Sequence, residues 1–131
     1  MPTTDKFERQ PHAVTDLVSR RFKALKIERL LGLQQLPQPI RLLEIGCGSG
    51  GIAHYFATHP SLQCNVTAVD VHDNRQVRDG YAYHSVQGVQ LPFGDQQFDA
   101  VISNHVIEHV GDAAAQLVHL QEIRRVRAPT G

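Results

Sequence analysis

Neither charge sign is in excess: thirteen Lys and Arg face thirteen Asp and Glu. No global field therefore draws the chain to nucleic acid or to an anionic membrane, and a partner has to be argued from a local feature. Cysteine is scarce, and Cys47 and Cys64 form no CxxC pair. No apolar run approaches the length of a membrane span, and MPTTDKFERQ lacks the apolar centre of a secretory signal. A reducing cytoplasm is the expected compartment, with neither nucleic acid nor membrane as partner. No repeat or low-complexity tract is present, and 131 residues allow one domain at most, small for a complete nucleotide-dependent enzyme.

What the chain does contain is ordered. Met1 to Pro11 is a polar lead-in without a period. Val14, Leu17, Val18, Phe22, Leu25, Leu30 and Leu31 then recur at helical spacing, with Gly32 as the stop, and define the inner face of an amphipathic helix. Its other face, Arg20, Arg21, Lys23, Lys26 and Arg29, reads as a solvated face. QQLPQP, Gln34 to Pro39, is a linker held out of helix by its prolines. From Ile40 onward, strand-like and helix-like runs alternate. Strands are expected at Ile40 to Ile45, Asn65 to Val69, Tyr81 to Val86 and Phe98 to Ser103, with a helix over Gly51 to Thr58. Asp112 caps a last helix through Arg127, with Leu117, Leu120, Ile123 and Val126 facing inward. The expected fold is α/β, a Rossmann-like parallel sheet of about four strands with flanking helices and right-handed crossovers. Residues 1–39 form the lead-in, helix and linker, and residues 40–131 the ligand-binding domain.

The ligand question centres on LLEIGCGSGG, Leu42 to Gly51. In an open parallel sheet a ligand binds beyond the carboxyl ends of the strands, where glycines let the backbone turn sharply and approach it closely. Two registers compete here. Gly46, Gly48 and Gly51 satisfy the GxGxxG dinucleotide pattern, whereas Glu44, Gly46, Gly48 and Gly50 satisfy ExGxGxG. Glu44 is a poor neighbour for a pyrophosphate. S-adenosylmethionine has no phosphate, and its ammonium is a group that a carboxylate near the loop can hold. The Lys and Ser or Thr of a P-loop are missing. Asp70, 20 residues after Gly50, can accept hydrogen bonds from both ribose hydroxyls, a geometry that both ligand types share.

LLEIGCGSG, TAVDVHD, VQLPFGDQQFDAVISNHVIEHV and LQEIRRV, read in order, resemble the class I S-adenosylmethionine-dependent methyltransferases of the type 11 methyltransferase domain group. The resemblance covers about residues 40 to 127. It implies that Glu44, Gly46, Cys47, Gly48 and Gly50 line the methionine half of S-adenosyl-L-methionine, that Asp70 holds the ribose and that Val71 packs on the adenine. Gln87, followed by Gly88, stands where relatives offer an acid to the adenine amino group, and its amide oxygen can accept the same bond. Asn104 and His105 would meet the cofactor's methionine end and the substrate. His105, His109 and Glu108 are the candidates for a base where the acceptor carries a proton. The same three could converge on a divalent metal, but relatives of this segment carry an acid where His105 stands, and no metal site is expected. The remaining histidines, His12, His54, His59, His72, His84 and His119, lack ligand spacing and read as surface or turn residues.

The family's fold has seven strands, and the sequence ends with RRVRAPTG, so strands five to seven are expected to be absent and the fold truncated. The fourth strand would then present an open edge, inviting self-association or a partner chain. Three functions stand: a methyltransferase acting on a small-molecule acceptor, a non-catalytic cofactor-binding fragment, and a small NAD-binding domain.

Overall fold

A computed structural model of the chain describes residues 21–103 and 111–129. The described part of a first helix, α1, covers 21–31, and a 3-10 turn follows at Leu33–Gln35. Then come β1 (Ile40–Ile45), α2 (Gly51–Ala57), β2 (Cys64–Asp70), β3 (Ala82–Ser85), β4 (Ala100–Ser103) and α3 (Ala113–Val126). All neighbouring strands are parallel, in the order β3-β2-β1-β4. The α/β expectation from the alternating pattern holds, with element ends shifted by a residue or two.

Position in the sheet explains each strand's composition. β1 lies between two neighbours and is buried on both faces, so IRLLEI reads as a nearly continuous apolar run. β3, at the edge, is short and largely exposed. Side-chain alternation sorts the core into two layers. Ile40, Leu42, Val66, Ala68, Ala100 and Ile102 pack with α2 and with Ala24 of α1. Leu43, Ile45, Val69 and Val101 pack on the opposite face with Ile123 and Val126 of α3. Phe56 of α2 is fully buried, and burial of such a side chain stabilises by roughly 1.5–3 kcal/mol.

Both long helices turn differently from expectation. On α3, Leu117 and Leu120 are 56% and 51% exposed, while His119 is 2% exposed and faces the sheet with Val126. On α1, Phe22 and Leu30 face solvent, while Ala24 and Glu28 are buried. Glu28 accepts hydrogen bonds from Gln34 Nε2 (2.8 Å), Tyr55 Oη (3.1 Å) and His59 Nε2 (2.9 Å). The other ring nitrogen of His59 accepts from the backbone N–H groups of Ser61 and Leu62, so Nε2 carries the hydrogen that Glu28 takes. His119 is therefore neither a surface nor a turn residue, while His59 is the turn residue expected, with its ring largely covered. A buried carboxylate is tolerable because three donors converge on it.

Asp112 caps α3 as expected, its Oδ1 accepting from Ala115 N at 2.9 Å. Glu122 and Arg125 of α3 tie down the segment before β4. Leu91 N donates to Glu122, and Arg125 donates to the carbonyls of Phe93 (2.7 Å) and Leu91 (3.1 Å). Beyond α3 the described residues add one isolated bridge and no further strand. Phe98 forms a parallel bridge with Arg127, Phe98 N donating to Val126 O and Ala128 N to Phe98 O.

The crossover from β2 to β3 has no helix among its described residues, although parallel strands are usually joined by one. A polar clamp holds it. Asp73 binds Arg75 through two hydrogen bonds of 2.9 Å, and the Arg75 guanidinium lies 3.9 Å from the centroid of the Tyr83 ring.

Candidate functional site

The chain leaves β1 at Ile45 and turns immediately. Gly46, Gly48 and Gly50 have φ of 78°, 52° and 87°, all in the left-handed region, whereas Gly51 already belongs to α2. The loop is fastened to the end of β2: Gly46 N and Cys47 N donate to Val69 O at 2.8 and 3.2 Å. Asp70 takes the next position. Its Oδ2 accepts from Gly48 N at 2.9 Å and its Oδ1 from Val71 N at 2.7 Å. Each carboxylate oxygen has further acceptor capacity.

Gly48 and Gly50 need to be glycine for different reasons. A Cβ on Gly50 would collide with the Val77 carbonyl and the Tyr81 hydroxyl, because the crossover closes over the loop there. Gln76 N and Val77 N both donate to Ser49 O, at 2.8 and 3.1 Å. A Cβ on Gly48 would meet nothing within 4 Å. Gly48 thus faces open space at the end of the sheet.

Two carboxylates, Glu44 and Asp70, lie close to the loop. Glu44 is buried beneath the loop, at 2% exposure. The Cys47 thiol is pushed up to about 12, first by burial and then by the charges of Glu44 and Asp70, with Arg75 offsetting part of the rise. A pyrophosphate would be repelled there and a cation attracted. These acceptors therefore suit the ammonium of S-adenosylmethionine better than the pyrophosphate of a dinucleotide.

Of the other expected site residues, Val71 is 54% exposed beside Asp70. Val86 N donates to the backbone carbonyl of Asp70, so the chain leaving β3 starts from the end of β2 before reaching Gln87 and Gly88. Gln87 is exposed, and Gly88, with φ of 74°, also faces open space. Glu44, Gly46, Cys47, Gly48, Gly50, Asp70 and Val71 are thus brought together, with Gln87 and Gly88 one strand further along. Asn104, His105, Glu108 and His109 lie outside the described residues. A cavity of about 380 Å³ lies elsewhere, along Gly51, His54, Tyr55 and Thr58 of the α2 region with Arg21 and Val77, and none of the Asp70 group lines it.

One pair at the same end of the sheet was not anticipated. Ser103, the last residue of β4, pairs in register with Ile45, and its Oγ lies 3.0 Å from His119 Nε2. Burial holds His119 below its ordinary value, which favours the neutral ring. The spacing of His119, Ile123 and Val126, i, i+4 and i+7, was the available signal.

Comparison with known proteins bears on the ligand. A family model described as a methyltransferase domain matches residues 43–131. A fatty-acid O-methyltransferase of Mycolicibacterium smegmatis is 33% identical over 70% of this chain and 34% of its own length. Cyclopropane-fatty-acyl-phospholipid synthase of Escherichia coli is 28% identical over 66% of this chain and 23% of its own length. A solved SAM-dependent methyltransferase from Aquifex aeolicus superposes with a TM-score of 0.60 at 18% identity, covering 83% of this chain and 68% of that one. The chain thus spans about a quarter to a third of the length of these two curated relatives.

Proposed function

The chain belongs to the methyltransferase domain family, and on that premise we propose that it binds S-adenosylmethionine at the Gly46 to Gly50 loop and transfers a methyl group to a small-molecule acceptor. The observation that carries this reading is the glycine cradle: open space at Gly48, bounded by the Asp70 carboxylate at the end of the neighbouring strand.

When bound, the cofactor supplies an electrophilic methyl group on a positively charged sulfur. The chain's task is to hold it and orient the acceptor, because an in-line displacement gains most from alignment and exclusion of water. Glu44 provides the negative charge that favours the cofactor's ammonium. Asp70, already fixed by the N–H groups of Gly48 and Val71, offers its remaining lone pairs to the ribose hydroxyls. Val71 presents an apolar surface to the adenine, and Gln87 beside Gly88 an amide oxygen to its amino group. The family resemblance gives Asn104 the cofactor's methionine end. His105, Glu108 and His109 are the groups to take a proton from an acceptor that carries one. No helix among the described residues is long and apolar enough to cross a membrane.

Calorimetric titration of the chain with S-adenosylhomocysteine, repeated with Asp70→Ala and in the presence of NAD, tests the reading. Binding weakened at least tenfold by Asp70→Ala and unaffected by NAD is expected. Displacement by NAD, or no binding by a folded sample, would overturn it. Binding without methyl transfer to any acceptor in a screen would leave the non-catalytic alternative.

A further inference from the structure

We propose that the solvent-facing arc of α1 is a docking surface for an anionic lipid bilayer. At 100° per residue, Arg29, Phe22, Lys26 and Leu30 fall within one arc of about 100°. Phe22 is 68% exposed and Leu30 85%, and Lys26 and Arg29 are also exposed. Two large apolar side chains stay in water here, interleaved with two cations.

The charge on this arc is uniform for a structural reason. Glu28 is the single acid between residues 21 and 39, and it is turned inward onto Tyr55 and His59. Balanced charge over the whole chain conceals this, and the expectation that no membrane is involved rested on that balance. A bilayer complements the arc in both respects: anionic headgroups meet Lys26 and Arg29, and the acyl boundary takes Phe22 and Leu30. A polynucleotide would match the cations and could stack on Phe22, but it offers nothing apolar to Leu30.

The chain has no tryptophan, so Phe22→Trp places a single indole on the arc. The full chain carrying it is mixed with vesicles of phosphatidylcholine alone or with about one third phosphatidylglycerol, at low and high salt. The expected result is a blue shift of indole emission and co-flotation with the anionic vesicles only, weakened by salt. Lys26→Gln and Arg29→Gln should each weaken binding about fivefold, and the pair about thirtyfold. Both positions are exposed, and circular dichroism melts confirm that the variants fold. Leu30→Ser, which leaves the charge untouched, should also weaken binding. Unchanged emission with anionic vesicles at low salt, equal binding to neutral vesicles, or indifference to the glutamine substitutions would overturn the proposal. Charge-dependent binding to an RNA oligonucleotide without any response to vesicles would assign the arc to nucleic acid instead, and equally overturn it.

Discussion

Two neighbouring glycines should fail in opposite ways when replaced by alanine. At Gly50 the new Cβ sits in a left-handed backbone, which costs about 1–2 kcal/mol. It also meets the Val77 carbonyl, a backbone atom that cannot rotate aside, and overpacking of that kind adds about 1–3 kcal/mol. The sum, about 2–5 kcal/mol, is a large share of the roughly 5–15 kcal/mol that stabilises a typical domain. Each kcal/mol lowers the melting temperature of a chain of this size by about 3–5 °C, so a drop of about 6 °C or more is expected. Gly48→Ala carries only the backbone strain, because nothing lies within 4 Å of its Cβ. It should melt within several degrees of the wild type yet lose at least tenfold in affinity for S-adenosylhomocysteine, since the methyl occupies the cradle. Urea or thermal unfolding followed by circular dichroism reads the first effect, and calorimetry the second. Equal melting temperatures for the two variants would refute the contact between loop and crossover. Wild-type affinity in Gly48→Ala would refute the assignment of the open space to the ligand.

Glu28→Ala removes the acceptor shared by three part-buried donors and should destabilise the domain by about 1–3 kcal/mol in a urea titration. Burial alone would raise the Glu28 carboxyl, but the hydrogen bonds from Gln34, Tyr55 and His59 outweigh it and hold the group below its ordinary 4.5. Its contribution is complete above the unfolded value and is lost as pH falls below about 4.5, so Glu28→Gln should flatten the acid limb of stability against pH. Cys47, at about 12, carries roughly one thiolate in 10⁴ at pH 8. Peptide mapping after iodoacetamide should find it unmodified in the folded chain and alkylated in urea; equal rates in both would show that the loop opens readily. His119 is pushed below its ordinary 6.5 by burial, so its stabilising contribution is present above that value and falls away as pH drops through the lowered one. An imidazole NMR titration should therefore find a midpoint below the ordinary 6.5, and a midpoint at or above it would contradict the burial.

Much of the glycine loop's shape was legible because its signals are local. Apolar Ile40 to Ile45, the glycines behind it and Asp70 at the next strand end lie in short contiguous stretches, and each meaning follows from backbone geometry. The Asp112 cap is equally local. What escaped was pairing over distance. Hydrophobicity put Leu117 and Leu120 inside α3, but His119 is taken inward instead, with Ser103, 16 residues away, as its hydrogen-bond partner. The β2 to β3 crossover was invisible for a related reason: its order comes from the Ser49 carbonyl and the Tyr83 ring, not from any helical period.

The rotation of α1 follows the same logic and has a consequence at the surface. A periodicity argument weights Phe22 and Leu30 as inward because their transfer from water is favourable, and gives Glu28 the opposite sign. Three donors reverse that sign, two of them, Tyr55 and His59, lying 27 and 31 residues downstream. Once Glu28 is drawn to the core, a rigid helix has no freedom left to bury Leu30, which lies about 160° around the axis from it. The exposed apolar residues and the uniform positive charge of that arc are therefore two results of a single buried carboxylate. Releasing Glu28 from its partners would remove the constraint that holds this face toward solvent.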